Sequence, residues 1–432
     1  MFRNLSKQLN LTVFLLLICS LFISCGVSKQ SASTMAADSG NSSDSLSLRD
    51  RIETFEDVWK TINEQYYDPS FNGVDWQAVH EHYLPKVKAA KTDVEVYRLF
   101  EEMLALLKDA HTVFRHPQST GAGINPPGSV GISLGEAERE TVITAVEPDS
   151  DAARAGVKPG MILRSANGKS VEELYKEIRS QFAGSSTEQS MKNVMHTALL
   201  YGGFLGASRN FGVQDFDGKG FNFSVTHFGA RPSKIPILSA RRLPSGIGYI
   251  GFDGWKPPVD ERFKAELAKL MDRPALIIDL RDNGGGQTDV QLNIGSLLFP
   301  TETSFGSFKR RGGQPEQIIT HKSDQVYKGK VVVLVNEVSA SASEVFAAVL
   351  QETGRARIIG QQTCGCVLNR QSKEVKGGGT LGWSARIYVS PRNRILEGTG
   401  IIPDETVALK ISDLRQGRDA ALEAAEKFLA RN

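Results

Sequence analysis

The sequence predicts an α/β protein in three folded parts: a helical region near the N-terminus, a β-rich segment in the middle, and a C-terminal core in which strands and helices alternate. Three observations carry this reading. Between 48 and 114, Ile52, Phe55, Val58 and Ile62, then Val96, Leu99, Met103 and Leu106, recur at helical spacing. From 126 to 232 the pattern changes to short runs such as Thr141-Val142-Ile143-Thr144-Ala145-Val146, broken by Ala155-Gly156-Val157-Lys158-Pro159-Gly160 and Asn167-Gly168. From about 235 onward, wholly apolar runs alternate with amphipathic helices, as in a sheet covered on both faces.

With 432 residues, 40% of them hydrophobic and 23% charged, the chain can bury two or three cores and is neither disordered nor fibrous. The formal net charge of +2, with Lys and Arg spread along the chain, leaves no concentrated basic patch and excludes nucleic acid as the expected partner. His80 and His82 are two apart and diverge on a helix, and no His-Glu-x-x-His pattern occurs. No metal and no cofactor is expected.

The first 25 residues read as an export signal: Arg3 and Lys7 form a basic head, residues 11–23 are almost unbroken apolar, and Ser24-Cys25-Gly26 supplies small residues at a cleavage point. The apolar run is too short for a comfortable membrane span. Phe22-Ile23-Ser24-Cys25 resembles a bacterial lipobox, which implies acylation of Cys25. The expected location is therefore the cell envelope, as a periplasmic or outer-membrane lipoprotein held to the membrane by its N-terminal lipid. Residues 26–47, rich in Ser, Ala, Asn and Asp, read as a flexible tether. After cleavage only Cys364 and Cys366 remain besides Cys25, so no disulfide framework is expected, and both thiols are read as small residues packed at a glycine turn.

The folded parts are expected at 48–125 (helical), 126–232 (β-rich, with a polar helical insertion from Val171 to about 200) and 233–432 (core). Within the core, strands are expected at 248–251, 275–280 and 331–335 and helices near 263–270, 290–298 and 341–351, with Gly354 capping the last.

Two junctions carry chemistry. Ser339-Ala340-Ser341-Ala342-Ser343-Glu344 follows a buried strand and opens a helix, where free backbone N–H groups and the helix dipole favour a developing anion. This suits a nucleophile; plain N-capping by serine is the alternative. Asp279-Leu280-Arg281-Asp282-Asn283-Gly284-Gly285-Gly286 also leaves a strand, and its glycines suit an oxyanion hole, with an ordinary glycine turn as the alternative.

Together with Asp109-Ala110-His111-Thr112, Gly246-Ile247-Gly248-Tyr249-Ile250 and Gly400-Ile401-Ile402-Pro403-Asp404, these motifs resemble, in order, the C-terminal processing (tail-specific) serine peptidases over most of 48–408. The resemblance implies a ClpP/crotonase-like core beside a PDZ domain, Ser341 as nucleophile, and an oxyanion hole from the N–H groups of Gly285 and Ala342. In the best-known branch a lysine downstream of the serine, after a Thr-x-Gly turn, is the base. Here Thr363-Cys364-Gly365-Cys366 puts Cys366 at that place, and a thiol cannot do the work of a desolvated amine. The pattern is closer to the tricorn core proteases, which implies a Ser341/His111/Glu397 relay: His111 as base, Glu397 fixing its tautomer. The serine that the tricorn motif carries just before its histidine is Ala110.

Val130-Gly131-Ile132-Ser133-Leu134 resembles the carboxylate-binding loop of PDZ domains, although Met161 replaces the acidic residue usual after the second glycine. Val130, Gly131, Ile132 and Leu134 are thereby the expected peptide-binding residues, with Ile132 and Leu134 lining an apolar pocket. The expected function is that of an exported serine endopeptidase acting on proteins or peptides with a free, apolar C-terminus. The alternative is a peptide- or ligand-binding lipoprotein that kept the fold after losing its base.

Overall fold

The computed structural model describes residues 46–116, 129–181, 186–201, 209–226 and 237–431; Cys25, the export signal and the tether lie outside the described residues. Three helices open the described chain, α1 (Leu48–Gln65), α2 (Trp76–Ala89) and α3 (Asp93–Ala105), each started by a side chain that satisfies free N–H groups: Ser47, Asp75 and Thr92. Their apolar faces close over Phe55, Val58, Ile62, Phe100 and Met103. The same core takes in Phe114 of strand β1 (Val113–Arg115) and, from far along the chain, Val375, Leu381, Trp383 and Ala385. The helical region is therefore not a unit with its own core, as the boundary at 125 had implied. Its apolar face is completed by C-terminal strand residues.

The middle segment is a sheet in the order β2-β3-β4-β6-β7, built from β2 (Ile132–Ala137), β3 (Glu140–Val146), β4 (Ile162–Ala166), β6 (Arg209–Gln214) and β7 (Gly220–Val225), with the short β5 (Lys169–Ser170) beside β4. Helix α4 (Asp151–Arg154) follows β3, and the insertion forms α5 (Val171–Gln181) and α6 (Glu188–Tyr201). Leu199 and Leu200 of α6 share a core with Ile143, Leu163 and Phe211, so the insertion completes the β-rich segment rather than decorating it. Val130 and Ile132 lie in that same core at 1% and 4% exposure, so Ile132, expected to line an apolar pocket with Leu134, packs into the core of the segment. Gly131 is buried with φ +80, and its N–H donates to Ser129 Oγ at 3.0 Å. Leu134 alone of the four is half-buried, facing a 670 Å³ cavity shared with the C-terminal core. Strand β2 is an edge of its sheet.

The C-terminal core holds two sheets. One runs β17-β14-β13-β10-β9-β8, from β8 (Leu238–Arg242), β9 (Gly248–Phe252), β10 (Ala275–Asp279), β13 (Lys330–Val335), β14 (Ala356–Gly360) and β17 (Glu405–Thr406); only β8 is antiparallel. Val331, Val333 and Val335 face α7 (Val259–Ala268), α8 (Thr288–Ser296) and α9 (Ala342–Glu352), while Val332 and Leu334 face α11 (Ala420–Arg431). Residues alternate between faces, and both faces are covered, which is why the strand is apolar throughout. Burying its five apolar side chains stabilises the sheet by on the order of 10 kcal/mol. The second sheet is antiparallel, in the order β1-β16-β11-β12 with β15 on β16, from β11 (Ser304–Arg310), β12 (Glu316–Ile319), β15 (Asn369–Glu374) and β16 (Thr380–Val389).

Candidate active site

The parallel strands β10 and β13 end side by side, with Asp279 opposite Leu334, and each releases a turn toward the start of α9. The two turns are stitched together. Ser339 Oγ donates to Leu280 O at 2.8 Å, the Ala340 N–H to Asn283 O at 3.1 Å, and Ser343 Oγ to Asn283 O at 2.9 Å while accepting from Trp255 Nε1 at 2.8 Å. Ser339 and Ser343 are thus fixed in buried backbone contacts. Ser341, between them, is half-buried at the N-terminus of α9, where its side chain and that of Glu344 form a capping box, and its hydroxyl donates to no acceptor among the described residues.

Ser341 sits at φ +55, ψ −115, a conformation that costs a non-glycine residue roughly 1–3 kcal/mol. Two acceptors hold it there: its N–H lies 3.0 Å from Cys366 O and 3.0 Å from Glu344 Oε2. Ala342 begins the helix, and its N–H, one of the orphan donors of the first turn, has no acceptor among the described residues. Gly285 lies against this point. A Cβ there would stand 2.7 Å from Ser341 Cβ and 2.8 Å from Ala340 O, at φ +97, so no other residue fits. Its own N–H donates to Asn283 Oδ1 at 3.0 Å, so in this conformation it does not point freely into the site as the glycine turn had suggested.

Glu344 is wholly buried and takes four donors: Thr363 Oγ1 (2.5 Å), Gly365 N (2.7 Å), Cys366 N (3.0 Å) and Ser341 N (3.0 Å). Burial pushes its carboxyl up, and those bonds work in the opposite sense. The 363–366 turn is therefore anchored from below by a side chain of α9. Cys364 and Cys366 form a disulfide across this turn, correcting the expectation of two packed thiols: the glycine between them lets the chain fold back so that the sulfurs meet. Neither nearby lysine takes the place that Cys366 occupies. Lys373 pairs with Asp57 at 2.7 Å and Lys376 with Asp50 at 2.8 Å, both on α1.

Glu397 accepts from Val367 N at 2.7 Å and Leu368 N at 3.1 Å, immediately beyond Cys366. Burial raises its pKa to about 7, against the pull of the Val367 N–H and the Ser186 hydroxyl, with Asp109 and Glu344 adding to the rise. His111 lies in the turn between α3 and β1. Its N–H donates to Asp109 Oδ1 at 2.8 Å and its Nδ1 is 3.9 Å from the same oxygen, without a hydrogen bond. Burial lowers its pKa, Asp109 opposes that, and Arg370 reinforces it. The structure thus brings Glu397 and Ser341 to the two sides of one turn, and sets Asp109 rather than Glu397 closest to the imidazole. Neither a Ser341–His111 nor a His111–Glu397 hydrogen bond is formed.

Four contributors escaped the sequence reading. Asp109 and Glu344 were visible inside quoted motifs, but nothing marked them as buried acceptors. Ser186 and Thr187 carry no signal in the sequence. The Ala110 N–H donates to Ser186 Oγ at 3.2 Å, and Thr187 Oγ1 donates to Cys364 O. Among the described residues no group of three or more His, Cys, Asp or Glu could hold a metal.

A serine with an undonated hydroxyl at a strained strand-to-helix turn, packed against a glycine turn, defines a site of serine-hydrolase type. Residues 246–407 match peptidase family S41, and residues 49–105 match the tricorn protease C1 domain. The chain is 25% identical over 402 residues to the carboxyl-terminal-processing protease of Synechocystis sp. (90% of this chain, 89% of that protein) and 26% identical over 379 residues to the chloroplastic carboxyl-terminal-processing peptidase 3 of Arabidopsis thaliana (81% and 68%). Among solved structures, the photosystem II D1 C-terminal processing protease matches with a TM-score of 0.58 at 21% identity (88% of this chain, 97% of that one). Mature CPAF matches with a TM-score of 0.68 at 12% identity (89% and 97%), a likeness of fold. The chain is a serine-type endopeptidase that carries a peptidase family S41 domain and is similar to the carboxyl-terminal-processing proteases.

Proposed function

We propose that this peptidase cleaves exported proteins near exposed apolar C-termini, with Ser341 as nucleophile, His111 as base and Glu397 as supporting carboxylate. The observation that carries the reading is the division of labour in the serine motif: two hydroxyls donate their protons into backbone contacts, and the third, at the positive end of α9, donates to no acceptor among the described residues. Ser341 Oγ attacks the scissile carbonyl, His111 takes its proton and returns it to the leaving amine, and the Ala342 N–H, with that of Gly285 once turned from Asn283, receives the oxyanion. Asp109, 3.9 Å from Nδ1, shares the charge of the imidazolium with Glu397.

The β-rich segment acts as a PDZ domain: β2 offers an open edge to which a peptide adds a strand, the Gly131 loop meets its carboxylate, and Leu134 contacts its apolar side chains. The C-terminal part is the ClpP/crotonase-like core, and lipidation of Cys25 holds the enzyme at the cell envelope. Hydrolysis of an unfolded protein by the full chain is the test. Ser341→Ala and His111→Ala should each abolish turnover, and wild-type rates in either variant overturn the assignment of that residue. Wild-type protein that binds peptides without cutting them establishes the binding-protein alternative, which the blocked lysine position at Cys366 favours.

A further inference from the structure

We propose that Ser186, from the middle segment, is a positioning residue for the relay: its hydroxyl joins the turn that bears His111 to the Glu397 carboxylate. The inference rests on the relay proposed above and adds a residue to it.

Position 110, immediately before the histidine, is alanine and offers no side-chain hydroxyl. The structure supplies one from another part of the chain. Ser186 Oγ accepts the Ala110 N–H at 3.2 Å, and its hydroxyl is one of the groups that act against the rise of the Glu397 carboxyl. A hydroxyl can accept on one side while donating on the other, which would fix both groups at once. The next residue makes a parallel contact, since Thr187 Oγ1 donates to Cys364 O, within the turn that holds the Ser341 N–H. Thr187 also accepts the Ser190 N–H at 3.0 Å as α6 begins, so this two-residue strap is rooted in the helix that completes the core of the middle segment. Ser186 is half-buried and belongs to neither the helical region nor the S41 domain.

Without the hydroxyl, Glu397 loses a donor to its charged form, while Asp109 and Glu344 still face it as like charges and Tyr67 stands by. His111 would keep Asp109 and Arg370 as its charged neighbours.

The test compares the full chain with Ser186→Ala and Ser186→Thr on an unfolded protein substrate, measuring kcat, KM and the pH profile of kcat/KM, with thermal unfolding and labelling of Ser341 by a fluorophosphonate to follow folding. Ser186→Ala should lower kcat about ten- to a hundredfold with KM little changed, as expected for loss of one hydrogen bond to a charged group. Its acid limb should move up by roughly one unit, and Ser186→Thr should restore both. A wild-type kcat and acid limb in Ser186→Ala overturn the proposal, as does a loss that threonine does not reverse. If instead His111→Ala retains full activity, the relay itself has failed, a result separate from any behaviour of Ser186.

Discussion

The main-chain N–H of Ser341 donates to the carbonyl oxygen of Cys366 at 3.0 Å. Residue 366 therefore supports Ser341, the proposed nucleophile, through its backbone, and its side chain closes the turn by bonding to Cys364. The bridge spans only three residues, so closing that loop constrains the unfolded chain by only about 1.5 kcal/mol. Reduction by a dithiol, or replacement of both cysteines by serine, should accordingly leave Tm almost unchanged while lowering kcat several-fold. Equal activity in the oxidised and reduced protein would show that Glu344 alone holds the turn.

Glu397 titrates near 7, above His111, whose pKa burial holds below its ordinary value. If both must be deprotonated, the acid limb of kcat/KM reports the carboxylate. Activity should fall as pH drops through about 7, and Glu397→Gln should move the limb below 6.5 while reducing the maximal rate. A limb unmoved in that variant would assign the titration to another group.

The same raised pKa has a consequence for stability. A carboxyl at about 7 when folded and 4.5 when unfolded imposes no penalty below 4.5 and its full penalty above 7, about 3 kcal/mol. Glu397→Gln should thus be more stable than wild type at pH 8, by up to that amount, with the gap closing toward pH 4.5. Chemical denaturation at the two pH values measures it.

Gly285→Ala places a Cβ 2.7 Å from Ser341 Cβ at φ +97. The backbone strain alone costs roughly 1–3 kcal/mol. Turnover should vanish, and fluorophosphonate labelling of Ser341 should vanish with it, because the residue moved is the nucleophile's own support. Normal labelling would mean that the glycine turn yields instead.

Leu134 is the one residue of the expected binding loop that reaches the cavity. Leu134→Asp should raise KM for an unfolded protein by about tenfold and leave kcat nearly intact, since the charge meets the peptide away from the reacting bond. A drop in kcat at constant KM would place the captured segment elsewhere.

The alternation of apolar strands and helices after 235 was legible because the central strands β9, β10, β13 and β14 are covered on both faces, and strand edges and helix starts fell within a few residues of their expected positions. The strand-to-helix turn that bears Ser341 was legible because its motif sits between an apolar run and a helix. What the sequence hides is partnership over distance. Ile132 looks like a pocket residue beside a glycine, yet alternation on β2 turns it into the core. Cys364 and Cys366 look like spacers until the turn brings their sulfurs together. Ser186 looks like one more polar residue in a loop, because its partners at 110 and 397 are named only by the folded chain.

The Thr112 hydroxyl accepts the N–H of Ser384, 272 residues away in sequence, and next to it β1 joins the edge of β16. His111 is consequently delivered to the site by a strand pairing that cannot form until nearly the whole chain exists. Contacts of such long range are made late in folding. On the relay proposed above, a nascent or half-assembled chain has its nucleophile but no base held beside it, so competence to cleave would be a readout of the chain's own completion.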